Sequence, residues 1–264
     1  MKPIIVAKDK EHLKALIQQE FESNDYNYKC DLNHIDVSGI TDMAELFIHS
    51  NFNGNISSWN VSNVKTMKGL FSDSRFDKDI SQWDVSNVED MSYMFNESKF
   101  YGDISKWNTS KVKNMNHMFN KSDFNGDVSN WKTSSVTDMS FLFNQSKFNK
   151  DISKWDTSNV EYMTQLFAYC DFNGDISNWD VSKVKKMVFI FSHSKFNGDI
   201  SNWTPYALDS VEPMFFNSEI PRPYWADYKN QIERNKVIKA YNLEKKLNKE
   251  LIVNKSQKNK VIKV

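Results

Sequence analysis

Histidine and cysteine are the residues best suited to chemistry in this chain, and neither is arranged for it. His12, His34, His49, His117 and His193 include no His-x-x-x-His pair, and Cys30 and Cys170 stand in no paired motif, so the spacing of a zinc site is missing. Two isolated cysteines suit a reducing compartment. Cys170 takes a place filled by Ser74, Ser98, Ser122, Ser146 and Ser194 in related segments and reads as a small packed residue. Carboxylates recur as Gly-Asp at 102–103, 126–127, 174–175 and 198–199, which superficially suggests a calcium ladder. Each copy offers one acid where calcium takes about six to eight oxygens, so these Asp residues are expected to satisfy turn amides. A Gly-rich phosphate loop is missing, and no two carboxylates converge on a pocket. The expectation is a non-enzymatic chain without cofactor or metal.

The Gly-Asp pairs recur because almost everything recurs. Tryptophan stands at 59, 83, 107, 131, 155, 179 and 203, a constant spacing of 24. Phenylalanine keeps the same step at 47, 71, 95, 119, 143, 167, 191 and 215, and again from 52 to 196. A period of this length predicts a solenoid, in which each unit buries its apolar face only against its neighbours.

Within the unit 80–103, Ile80, Trp83 and Val85 alternate with Gln82 and Asp84, the pattern of a short half-buried strand. Val88, Met91, Met94 and Phe95 then fall on one face of a helix of two to three turns. Ser86 with Glu89, and Ser158 with Glu161, have the spacing of a capping box at its start. Gly102 and its equivalents are expected where the backbone bends. The predicted coil is strand, cap, short helix, giving an α/β repeat of about eight coils. Parallel strands about 4.8 Å apart make it roughly 34 Å long.

The ends differ from the middle. Residues 1–31 read as an N-terminal cap, with a strand over 3–7 and a helix over 10–22 carrying Leu13, Leu16, Ile17 and Phe21. Residues 32–218 form the array. Residues 219–264 read as a basic C-terminal helical cap with Trp225, Tyr228 and Ile232 at its start, an apolar stripe at Ala240, Leu243, Leu247 and Leu251, and a frayed end from about 253. This last segment has 12 basic and 5 acidic residues, a net of +7 in a chain with 34 of each sign. Overall neutrality argues against nucleic acid as a partner. The first 14 residues are too polar for a secretory signal and no stretch approaches a membrane span, so a cytoplasmic location without membrane attachment is expected.

The unit closely resembles the repeat of the bacterial BspA-like leucine-rich repeat proteins, whose phrase Phe-Asn-Gly-Asp-Ile-Ser-x-Trp-Asp-Val-Ser-x-Val is reproduced at 172–184. The resemblance covers about 32–218. It implies a right-handed, leucine-rich-repeat-like solenoid and a function in binding proteins. Many relatives are secreted or surface lipoproteins, an adhesin-type role that needs a signal or lipobox. Signal-free members look like intracellular binding proteins, some of them immunity proteins.

Candidate binding residues come from variation between units. On the predicted helix Tyr93 points away from the buried face, as do its equivalents Gly69, His117, Phe141, Gln165 and Phe189. Tyr162 and Tyr169 replace mostly polar residues on the same side. Aromatics where solvent is expected suggest a docking surface made of Tyr93, Phe141, Tyr162, Tyr169 and Phe189. The strand face is the alternative, a polar ladder including Lys106, Lys132, Lys154 and Asp156. The function expected is that of an immunity or inhibitor protein, monomeric on its own, which neutralises a protein partner such as a toxin by steric occlusion.

Overall fold

The computed structural model describes residues 2–261, with side chains as far as Val253. It is a repeat solenoid closed at both ends by helix. At the N-terminal end the two-residue strand β1 (Ile5–Val6) pairs in parallel with β2 (Ile35–Asp36), Ile5 opposite Ile35. Helix α1 (Lys10–Ser23) begins at Asp9, whose carboxylate accepts the His12 amide at 2.8 Å, a side-chain N-cap. Leu13, Leu16, Ile17 and Phe21 are all buried, so α1 covers the first coil with one apolar stripe. At the other end a 3-10 turn (Tyr224–Asp227) buries Trp225, and α2 (Gln231–Val261) follows. α2 is continuous through 253, where fraying is expected; residues 262–264 lie outside the described residues.

Beyond β2 in the first coil, the coils between the caps contain neither the predicted helix nor the predicted strand. Each coil is instead a succession of tight turns. In the unit 80–103 the amides of Trp83, Val88, Met94 and Ser98 donate to the carbonyls of Ile80, Val85, Met91 and Phe95 at 2.9 to 3.3 Å. A helix would spend the remaining amides on its own chain four residues back. Here Met91, Tyr93, Phe95 and Glu97 donate to Asn114, Asn116, Met118 and Asn120 of the next coil at 2.8 to 3.0 Å. Isolated parallel bridges accordingly link Asp42, Thr66, Asp90, Asn114, Asp138, Tyr162 and Lys186 in sequence. Tyr93 and Glu97 have φ of 59° and 55°, which suits the third residue of a type II turn and cannot occur inside a right-handed helix. The apolar spacing is nevertheless satisfied, since Val88, Met91, Met94 and Phe95 are all fully buried. A tight coil and a helix share an inward face at this spacing and differ in where their amides go and in the backbone at the corners.

The segment predicted as a strand is likewise inward-facing but joined differently. Ile80, Trp83 and Val85 are buried, and the Trp83 indole N–H donates to the Ile56 carbonyl 27 residues back at 3.2 Å. All seven tryptophans of the 24-residue ladder make this bond, at 2.9 to 3.2 Å, so each stitches its coil to the one before. The capping boxes do not form. Ser86 and Ser158 donate backbone amides to Asp84 and Asp156, while Glu89 and Glu161 pair with Lys113 and Lys185 of the next coil. The two phenylalanine ladders stack along the axis, for example Phe95 on Phe119 at 5.7 Å, and against each other, Phe95 on Phe100 at 4.3 Å. Gly102 has a reason other than the predicted bend. A Cβ there would lie 2.7 Å from the Phe100 ring, so the absence of a side chain is what lets the ring fold under the chain.

Candidate functional site

The turns give the solenoid two outward corners in every coil. One column of corner residues is Glu45, Gly69, Tyr93, His117, Phe141, Gln165 and Phe189; the other, four residues later, is His49, Asp73, Glu97, Lys121, Gln145, Tyr169, His193 and Asn217. Every one of them has a φ between 46° and 61°. An L-residue in that conformation costs about 1–2 kcal/mol relative to its right-handed alternative, and glycine does not incur that cost. Folding alone therefore favours residues such as Gly69 at a corner, and rings there require another explanation.

The rings gather into two groups. Tyr93 stacks on His117 at 4.5 Å, and His117 on Phe141 at 4.2 Å, all within 10° of parallel. The second group comprises Tyr169 on His193 at 4.5 Å, with Phe216 edge-on to both His193 and Phe189 at 6.3 and 5.7 Å. Tyr169 and Phe216 are more than half exposed, and Tyr93 is 36% exposed. His117 is wedged between two rings with its Nδ1 buried and unpartnered. Burial pushes its pKa below the ordinary imidazole value, with Asp138 partly opposing, so the ring packs as a neutral aromatic.

Of the residues predicted to bind, Tyr93 and Phe141 thus share one stack, and Tyr169 and Phe189 share the other group. Tyr162 joins neither. It belongs to the bridge ladder between Asp138 and Lys186, half-buried, with the Lys185 ammonium 6.0 Å from its ring centre. Sequence reasoning missed His193 and Phe216 as members. Both have a detectable signal: the histidine stands 24 residues after Tyr169, and Phe216 replaces the Ser72, Asn96, Asn120, Asn144, Ala168 and Ser192 of its own repeat position.

The alternative face lies on the tryptophan side. Lys132, Lys154 and Asp156, with Asn130, line a shallow cavity of about 290 Å3, and Lys106 lies one coil earlier. Asp156 accepts the Ser158 amide at 3.0 Å, and its Ser158 hydrogen bonds hold the carboxyl below its ordinary value. Lys106, Lys132 and Lys154 make no ion pair among the described residues. Thr109 and Thr133 tie this face together by donating to the Lys132 and Asp156 carbonyls at 3.0 Å. It is a polar surface whose aromatic lining residue, Trp131, is buried. The Gly-Asp carboxylates are spent on turns, Asp103, Asp127, Asp175 and Asp199 each accepting a serine amide at 2.8 to 2.9 Å.

The repeat itself decides the family. A family described as a Mycoplasma protein of unknown function, DUF285, matches residues 15–127, 96–171, 114–228 and 148–256 in overlapping registers, as a periodic chain permits. The chain belongs to the DUF285 family. The DUF285 matches together run from inside α1 to near the end of α2, so the family likeness includes parts of both caps as well as the coils. No curated protein and no solved structure matches the chain. No helix among the described residues is long and apolar enough to cross a membrane.

Proposed function

We propose that this DUF285 chain is a non-catalytic protein-binding solenoid whose partner docks on the two corner columns. The observation that carries this reading is the placement of Tyr93, Phe141, Tyr169 and Phe189 at positive φ, where folding favours glycine. Large rings held on a rigid ribbon with little side-chain freedom to lose are the usual anchors of an interface. Stacking within each group holds its exposed edges together as an aromatic patch. The polar face on the tryptophan side lacks exposed anchors of this kind and serves as the rival surface.

The finer reading is an inhibitor. A rigid array of BspA-like coils held against a toxin would act by covering its working surface, with no step of chemistry, as an immunity protein in the cytoplasm does. Purification of the tagged chain from its own cells identifies the partner, and calorimetry then measures it. Tyr169→Ala or Phe189→Ala is expected to weaken the complex by about 2 kcal/mol, roughly thirtyfold in dissociation constant. Lys106→Ala and Lys132→Ala are expected to change it by less than about 0.5 kcal/mol. The reverse pattern moves the site to the polar face on the tryptophan side. A partner that emerges chemically altered overturns the non-catalytic reading.

A further inference from the structure

Helix α2 has two contrasting sides. On one, Ile238 is fully buried, Tyr241 packs on Tyr224 at 4.2 Å, and Asn242 donates to the Tyr206 hydroxyl at 3.5 Å. Lys245 continues this side by donating to the Asn202 side-chain oxygen at 2.7 Å. Spacings of three and four keep these residues toward the last coils. Leu247 follows Lys245 by two residues, about 200° around the helix, and so points away from the array. Leu243 and Leu251 share its outward stripe, and the three are 58%, 50% and 57% exposed in order of sequence. Docking of α2 explains none of them.

We propose that this stripe is the seam of an antiparallel pair of α2 helices from two copies of the chain, centred on Leu247. Residues 243–251 read Leu-Glu-Lys-Lys-Leu-Asn-Lys-Glu-Leu, nearly the same in both directions. A twofold axis through Leu247 sets it beside the partner's Leu247, and sets Leu243 beside the partner's Leu251. Lys246 and Glu250 flank the seam on one side, one turn apart. In the antiparallel pair Lys246 lies about 3 Å along the axis from the level of the partner's Glu250, which gives two opposite-charge contacts. A parallel pair would set Lys246 across from the partner's Glu244 instead, so the near-palindrome of the stripe rather than its charges favours the antiparallel arrangement. An anionic membrane surface fits less well, because Glu250 borders the stripe and would face it. Three leucines per helix bury less than the roughly 1,200 Å2 of a standard interface, so the pair is weak and concentration-dependent. It replaces the expectation of a monomer and leaves both corner columns free to bind.

Sedimentation of the full chain over about a hundredfold range of concentration is expected to show a monomer–dimer equilibrium. Leu247→Asp should abolish the dimer while leaving the circular dichroism spectrum unchanged. Orientation is read by cysteine: oxidised Leu247→Cys should give a covalent dimer and Leu243→Cys should not, whereas a parallel pair would cross-link both. Cys30 and Cys170 are buried, so the unsubstituted chain serves as the control. A wild-type chain that stays monomeric throughout, a dimer indifferent to Leu247→Asp, or equal cross-linking at both positions overturns the proposal. Binding of a monomeric chain to phosphatidylserine vesicles, lost in Leu247→Asp, overturns it in favour of a membrane surface.

Discussion

The inner ladders and the outer corners are built on the same 24-residue period and use it in opposite ways. Inside, tryptophan and phenylalanine are repeated from coil to coil, most of the phenylalanine rings stacking on their counterparts and each indole of the ladder bonding to the coil before it. At the corners the backbone is just as regular, with φ close to 55° in every coil, yet the side chains run through Glu, Gly, Tyr, His, Phe and Gln in one column. Constant side chains on a constant backbone mark what packing demands. Variable side chains on a constant backbone mark positions that folding leaves open, and there the conformational cost of a ring needs a return from elsewhere.

The comparison breaks most readily from the inside. Trp131 is 3% exposed, lies flat on Trp155 at 6.4 Å and bonds to the Ile104 carbonyl at 3.1 Å. Trp131→Ala is expected to cost about 3–5 kcal/mol in chemical denaturation. A loss below about 1 kcal/mol would mean that the ladder is not the core. Gly102→Ala comes next, since the new methyl meets the Phe100 ring and the ring must shift, at about 1–3 kcal/mol. An equal loss for Gly39→Ala, where nothing stands within 4 Å, would show that chain entropy rather than the ring is responsible.

A smaller effect sharpens the corner side of the comparison. His117 has a folded pKa below its unfolded value, so below about pH 6.5 the unfolded chain takes up the proton first. Stability is therefore highest above that pH and falls as pH drops toward the folded value. His117→Phe keeps a ring between Tyr93 and Phe141 and removes the titration. The urea midpoint of the wild type should fall more than that of His117→Phe between pH 7.5 and 5.5, and parallel curves would show that the buried imidazole is not coupled to folding.

How much of this was legible in sequence depends on what each residue reports. Trp83, Phe95 and Met91 declare an inward direction by type and spacing, and their burial follows it. The partner of a backbone amide has no such signal. The sequence around Val88 to Phe95 is compatible with a helix because period three and period 3.6 cannot be told apart over eight residues, and the coil-to-coil bonds of Tyr93 and Glu97 depend on a neighbour 23 residues away. Gly102 was legible as a special position but not for the right reason, since the Phe100 ring that excludes a side chain becomes its neighbour only after folding. The corner aromatics stood out as departures from a polar pattern, so Tyr93, Phe141, Tyr169 and Phe189 were singled out even though the helix used to orient them does not exist. Tyr162 stood out in the same way and lies in the bridge ladder instead.

The central claim is that the corners give up stability to present rings for recognition, and Tyr169→Gly tests it most directly. Glycine relieves the positive φ of 54° at a cost of the stack on His193, two terms of about 1 kcal/mol each that nearly cancel. Unfolding free energy and partner affinity measured on the same preparation should show stability within about 1 kcal/mol of wild type and affinity lower by about thirtyfold. A loss of stability above about 2 kcal/mol with unchanged affinity would contradict the account and make the corner rings part of the core.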